Sequence, residues 1–340
     1  MIFCYSVKID GLLGKNNFRI NAAPTGYLFR RNRMKNWKIN VIVLLFVFFS
    51  LISCIEVNNE RNEWDYDPSV AVYTAGFIGY GSNVETVLWE NGTEHKLGPG
   101  SGGSLYVSGN DIYVAGTSGS KATLWKNGAA ETLDNNSSYA SSVFVSGDDV
   151  YVAGGISGKA TLWINGAALT LSTDDSSASS VFVSGNDVYV AGIIYSNYKA
   201  VLWKNGTQQI LSNNAYARSV YVSGNDVYVA GTTNNGTSAT LWKNGTEQAL
   251  SDQYSYSYSV CVSGNDVYVA GSISGKATLW KNGTAQTLSD GSAYSVYVFG
   301  NDVYAAGAGG NKAILWKNGI VKLLSNQKSE ARTVFVVPRN

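Results

Sequence analysis

From residue 70 onward the chain is written in short runs that alternate between two sets of positions. Ser219-Val220-Tyr221-Val222, Asp226-Val227-Tyr228-Val229-Ala230, Ala239-Thr240-Leu241-Trp242 and Glu247-Gln248-Ala249-Leu250 are four consecutive examples. A period of two is that of a β-strand, whose successive side chains point to opposite faces. The punctuation between the runs fits hairpins. Gly224-Asn225 places glycine first in a two-residue loop, as a type II′ turn requires, and Asn244-Gly245 suits the two positive φ angles of type I′. The four runs, labelled A to D, therefore predict one antiparallel sheet, and almost no segment carries a helical period.

This unit recurs about every 39 residues, and a fixed period of that size marks a repeat architecture. Its tryptophans stand at Trp89, Trp125, Trp163, Trp203, Trp242, Trp280 and Trp316, which gives seven copies. Four antiparallel strands per copy predict an all-β chain folded as a seven-bladed β-propeller. The ends of the repeat region support a closed ring. The first copy has strands B, C and D (Val72 to Ala75, Thr86 to Trp89, Glu94 to Leu97) but no strand A, whereas Thr333-Val334-Phe335-Val336 near the C-terminus matches Ser295-Val296-Tyr297-Val298. A C-terminal strand that completes the first blade removes the exposed edge. Residues 70–340 are accordingly read as one propeller, expected to be monomeric. Each tryptophan, buried between blades, is expected to contribute about 4–6 kcal/mol gross.

Because the strands alternate in direction, the A–B and C–D turns fall on one end of the ring and the B–C and D–A connections on the other. The first end carries the repeated S-G-N-D and K-N-G turns; the second carries the variable stretches. The D–A connections are expected to hold Tyr139, Tyr216, Arg218, Tyr254, Tyr256, Tyr258 and Tyr294, and the B–C connections Tyr80, Tyr195 and Tyr198. Tyrosine among serine, asparagine and glycine is the mixture of a recognition surface, rigid where aromatic and adaptable where polar. This face is the expected binding surface for a glycan or a protein. The competing reading is that these tyrosines seal blade joints while the polar residues solvate loops.

The candidate chemistry is sparse. His95 is the only histidine and falls in strand D of the first copy, an outer position, so neither a catalytic triad nor a histidine-based metal centre is expected, and the chain is read as non-enzymatic. The repeated aspartates Asp111, Asp149, Asp187, Asp226, Asp266 and Asp302 could form carboxylate pairs or calcium sites. They occupy the same turn position in each copy, which favours a structural role. No cofactor motif and no metal site is expected. The cysteines, Cys4, Cys54 and Cys261, are too few and too scattered for a disulfide framework or a zinc site. Cys261 stands where other copies have an aromatic residue and is read as a small buried hydrophobe. Charge excludes a further class. From Cys54 onward there are 17 basic against 23 acidic residues, without the basic footprint that nucleic-acid binding needs.

The N-terminal region is different in kind. Val41 to Ile52 form an apolar run preceded by Lys35 and Lys38 and followed by Ser53-Cys54. Such a run rises only about 18 Å as a helix against a hydrocarbon core of about 30 Å, which suits a signal-peptide core rather than a membrane span. Residues 34–53 are read as the signal peptide, residues 1–33 as an extension ahead of the true start at Met34, and residues 54–69 as a flexible tether. Leu51-Ile52-Ser53-Cys54 resembles the bacterial lipobox. That resemblance implies that Cys54 is diacylated and becomes the new N-terminus, anchoring the protein in a membrane through its acyl chains; an ordinary signal peptide cleaved nearby is the alternative. Ile55 is not the aspartate that favours inner-membrane retention in enteric bacteria, so the expected location is the outer membrane or cell surface. The V-Y-V-A-G and L-W-K-N-G blocks, across residues 70–340, resemble the repeats of a functionally uncharacterised group of bacterial surface lipoproteins with predicted propellers. They lack the paired signatures of WD and kelch repeats. The expected function is that of a lipid-anchored envelope binding module, or alternatively of an envelope scaffold without a dedicated ligand.

Overall fold

The computed structural model describes residues 64–81 and 83–339. The extension, the signal peptide and Cys54 lie outside these residues. Among the described residues there are 28 strands and no helix. They form seven four-stranded antiparallel sheets arranged as the blades of a β-propeller. Six sheets are built from consecutive strands, as in blade 5, where β16 (Tyr216–Ser223), β17 (Asp226–Thr233), β18 (Ser238–Lys243) and β19 (Thr246–Ala249) lie side by side. The seventh is shared between the ends of the chain. β28 (Ser329–Pro338) pairs with β1 (Val70–Ile78), setting Val72 opposite Val336 and Tyr73 opposite Phe335. The C-terminal strand thus completes blade 1.

The hairpins follow the turn chemistry of the sequence. Gly224 has φ of 59°, and Asn244 and Gly245 have 51° and 80°, as type II′ and type I′ loops demand. Apolar residues then have only one place to go. A single twisted sheet cannot cover its own faces, so each core forms between two consecutive blades. Tyr189, Ala191 and Leu202 of blade 4 pack with Val220, Val222 and Trp242 of blade 5. All seven tryptophans are at most 2% exposed. The glycine of V-Y-V-A-G is fixed by the same packing. A Cβ on Gly231 would lie 1.9 Å from the Tyr216 carbonyl oxygen and 3.0 Å from the Trp242 ring. Serines sew the innermost strands together. The hydroxyls of Ser104, Ser142, Ser180, Ser219, Ser259 and Ser295 each accept a hydrogen bond from a backbone N–H of the next blade, at 3.1–3.3 Å.

Three features depart from the sequence expectation. Strand A is longer than the four-residue run predicted for it, because every innermost strand contains a β-bulge, as between Ala217 and Ser219. A bulge adds one unpaired residue and shifts the alternation by one, so the strand continues past the point where the period of two breaks. The outer strand is exposed on both faces, as Thr246–Ala249 illustrates; only strands A to C are sandwiched. The residues between the apolar positions of strand A do not all pack between blades either. Tyr106, Phe144, Phe182, Tyr221, Tyr297 and Phe335 form an aromatic ring around the central channel, with neighbouring centroids 4.8–5.0 Å apart. Cys261 takes the seventh position, between Tyr221 and Tyr297 in chain order. It is buried as a small apolar residue, and that burial pushes its thiol up to about 11.

Residues 64–69, within the span read as a tether, are packed against the ring. Trp64 donates its indole N–H to the Ile320 carbonyl at 2.9 Å, and Lys322 donates to the Trp64 carbonyl at 3.0 Å. Tyr66 lies over Gly92. Both contacts are beside C–D turns, so the chain enters on the end with the repeated turns.

Gly231→Ala tests the close approach of strand A to strand B. Its methyl group has to displace a carbonyl, and we expect a loss of about 1–3 kcal/mol as a lower urea midpoint with an unchanged slope. An unchanged midpoint would show that the strands do not approach this closely.

Candidate functional site

The bulges define the site. In each innermost strand the bulged residue is unpaired in the ladder, and the residue three places further on belongs to the aromatic ring, with Cys261 in its place in blade 6. The seven bulged residues, in blade order 2 to 7 and then 1, are Gly103, Ser141, Ser179, Arg218, Tyr258, Tyr294 and Arg332. All seven line one cavity of about 420 Å³ at the mouth of the channel, on the end with the variable connections. The aromatic ring lies roughly 10 Å further along the same strands. One half of the mouth is open, because its bulges carry glycine and serine. The other half is walled by two arginines and two tyrosines.

The wall is continuous. Tyr198 lies 5.9 Å from Tyr216, and the Arg218 guanidinium is 5.7 Å from Tyr216 and 5.4 Å from Tyr258. Tyr256 stacks on Tyr258 at 5.9 Å, Tyr254 meets Tyr256 edge-on at 5.2 Å, and Tyr258 meets Tyr294 edge-on at 5.2 Å. Arg332 then lies 4.4 Å over Tyr294 and forms a 2.5 Å ion pair with Glu330. The hydrogen bond with Tyr254, together with burial, pushes the Tyr256 phenol up to about 12. Arg218 has no ion-pair partner among the described residues, and its Nε is buried without a hydrogen bond.

Seven of the ten ligand-binding residues expected from sequence join this constellation as wall residues: Tyr198, Tyr216, Arg218, Tyr254, Tyr256, Tyr258 and Tyr294. Tyr139 lines the open half, its ring packed over Gly155. Tyr195 is half-exposed in the turn between the strands of blade 4, and Tyr80 stands 74% exposed beneath Lys328; neither reaches the mouth. Tyr139, Tyr216, Arg218, Tyr256, Tyr258 and Tyr294 sit in strand A rather than in the D–A connections, because the bulge prolongs that strand past its apparent end. Arg332 was not among the expected residues. Its signal is present, since Ala331-Arg332-Thr333-Val334-Phe335-Val336 copies Ala217-Arg218-Ser219-Val220-Tyr221-Val222, but the tail strand reads first as a clasp.

The opposite end is chemically occupied. Asp226 accepts from Asn244 at 2.7 Å and pairs with Lys243 at 2.7 Å, while Tyr228 donates to it at 3.3 Å. Asp111, Asp187, Asp266 and Asp302 repeat the pattern with Lys126, Lys204, Lys281 and Lys317. These bonds tie the A–B turn to the C–D turn within a blade, which accounts for the repeated aspartates as structural elements. His95 is exposed on the outermost strand of blade 1, in a groove of about 360 Å³ with Leu88, Leu97 and Trp125. Its acidic neighbour Glu90 pairs with Arg339.

No protein-family profile matches the chain, and no curated protein matches it by sequence. Solved structures do. A putative 6-phosphogluconolactonase from Bacteroides fragilis is 11% identical with a TM-score of 0.51, covering 81% of this chain and 100% of its own. Its counterpart from Bacteroides uniformis is 14% identical with a TM-score of 0.51, covering 79% and 100%. A puromycin-hydrolyzing peptidase from Mycobacterium tuberculosis is 10% identical at the same TM-score, covering 76% of this chain and 53% of that one. At these identities the likeness is one of fold.

The Lys243 ammonium holds the Asp226 carboxyl below the usual carboxylate value. A depressed native value means that the pair's contribution is present at neutral pH and fades as pH falls through that value. Asp226→Asn should therefore make stability less sensitive to acid, and NMR titration of the carboxyl should give a midpoint below the ordinary range. A midpoint at or above that range would show that the pair is not formed in solution.

Proposed function

We propose that this chain is a lipid-anchored envelope protein whose propeller is a non-catalytic binding module, taking its ligand at the walled mouth of the channel. The observation that carries this reading is the inequality of the seven bulge positions. The blades are otherwise near copies, and a purely structural demand on seven equivalent positions would call for similar residues. Glycine and serine on one side with arginine and tyrosine on the other meet no such demand. They do suit a ligand lying across the mouth, and the cavity has the size of a small-molecule or oligosaccharide subsite.

A non-catalytic role is supported by what lines the mouth. Among the lining residues there is no histidine or cysteine, and the neighbouring carboxylate, Glu330, is held in an ion pair by Arg332. Trp64 and Tyr66, where the described residues begin, pack on the opposite end of the ring from the mouth.

Two experiments test the parts separately. On an array of glycans and surface proteins, a ligand bound by the native chain should be lost by Tyr254→Ser/Tyr256→Ser/Tyr258→Ser and by Ser141→Tyr/Ser179→Tyr, which fills the mouth. Retention of binding by both variants would remove the mouth from consideration. Cys54→Ser should move the protein from the membrane fraction to the soluble one, and the native N-terminal peptide should carry the mass of its acyl chains; an unmodified peptide would rule out the anchor.

A further inference from the structure

We propose that the mouth binds a carboxylate-bearing sugar, with the carboxylate taken by Arg218 and the sugar ring laid against the tyrosine wall. This rests on the mouth being a binding site, as proposed above, and adds the chemical class of its occupant.

The first argument is one of charge. From Cys54 onward acidic residues outnumber basic ones by 23 to 17, so a cationic mouth does not follow from a basic surface. Arginine is also rare. Four arginines follow Cys54, and two of them, Arg218 and Arg332, stand on bulges of this one ring. Most blades spend a lysine on their own turn aspartate, whereas Arg218 has no carboxylate partner among the described residues. Its guanidinium is held between the Tyr216 and Tyr258 rings. A guanidinium flanked by aromatic rings and without an ion-pair partner retains N–H donors for a ligand, and arginine takes a carboxylate through two parallel hydrogen bonds. Glu330 offsets the charge of Arg332. The mouth thus presents a net charge near one, which matches a single carboxylate better than a phosphate dianion.

The second argument concerns the rest of the ligand. Ser101, Thr117, Ser141 and Ser179 offer hydroxyls on the open half, complementary to a polyhydroxylated ring. Tyr254, at the end of the tyrosine row, is 56% exposed and offers an aromatic face for its C–H groups. A peptide is served less well. Apart from the tyrosines the lining has only Phe77 and Ala140 as apolar side chains, so there is no pocket for the buried anchors on which peptide recognition depends.

The test is calorimetric titration of the full chain with oligogalacturonate, its methyl ester, neutral oligogalactose and an acidic peptide. The acid should bind at least about tenfold more tightly than the ester, as a charge-assisted pair allows. Arg218→Gln should abolish that preference, the acid then binding with no advantage over the ester. Ser141→Tyr/Ser179→Tyr should lose both ligands; it places tyrosine where Tyr258 and Tyr294 already stand, and an unchanged melting temperature will confirm its fold. Equal affinity for acid and ester, both lost in the filled variant, would overturn the carboxylate inference and leave the mouth as a site. Preference for the peptide, or binding of none of the saccharides, would overturn the inference as well. Acid binding that survives in the filled variant would remove the mouth reading along with it.

Discussion

Every blade of this protein depends on its neighbour for burial. A four-stranded sheet with apolar side chains on both faces is unstable in water alone, and burying those faces is the dominant favourable term in folding. Here the faces are covered only by the adjoining blades, with one tryptophan of each copy closing the joint. Seven such joints must close on themselves or leave two apolar faces and an open edge. Pairing the last strand with the first does both tasks in one ladder. The repeat, the tryptophan spacing and the split blade are therefore consequences of one constraint.

That constraint also explains which residues recur from copy to copy. Gly231 and its equivalents sit where a side chain would strike the backbone of strand A and the tryptophan ring. Ser219 and its equivalents satisfy an N–H that no strand can reach, because strand A is the innermost of its sheet. Asp226 and Asn244 lock two turns that would otherwise separate at the end of the blade. Each residue answers a demand made identically at every joint, and such demands leave a periodic trace in sequence.

The blade count, the strand order, the turn types and the split first blade were legible for that reason. The mouth was legible only in part. Arg218 and the tyrosines were noticed by composition and assigned to connections, because a bulge breaks the period of two at the point where the functional residue sits. The run Tyr216-Ala217-Arg218-Ser219 therefore reads as a loop leading into a strand, although all four residues belong to the strand. The ring formed by Gly103, Ser141, Ser179, Arg218, Tyr258, Tyr294 and Arg332 is a property of seven distant segments meeting around an axis. No local pattern announces it. Tyr80 and Tyr195 are tyrosines like those of the wall, but they stand exposed in turns between strands and do not line the mouth.

The bulge is also what allows one end of a uniform ring to become specific. A residue in the regular ladder of strand A has a side chain either in a blade joint or in the aromatic ring, so changing it disturbs packing. The bulged residue is released from pairing, and its side chain projects into the mouth. Glycine, serine, arginine and tyrosine can therefore occupy equivalent bulges while the flanking ladders keep one register. Stability and recognition are thus carried by adjacent residues of the same strand with little interference. In a fold whose joints constrain nearly every other inward position, the seven bulges are where non-repeating chemistry can be introduced at least structural cost.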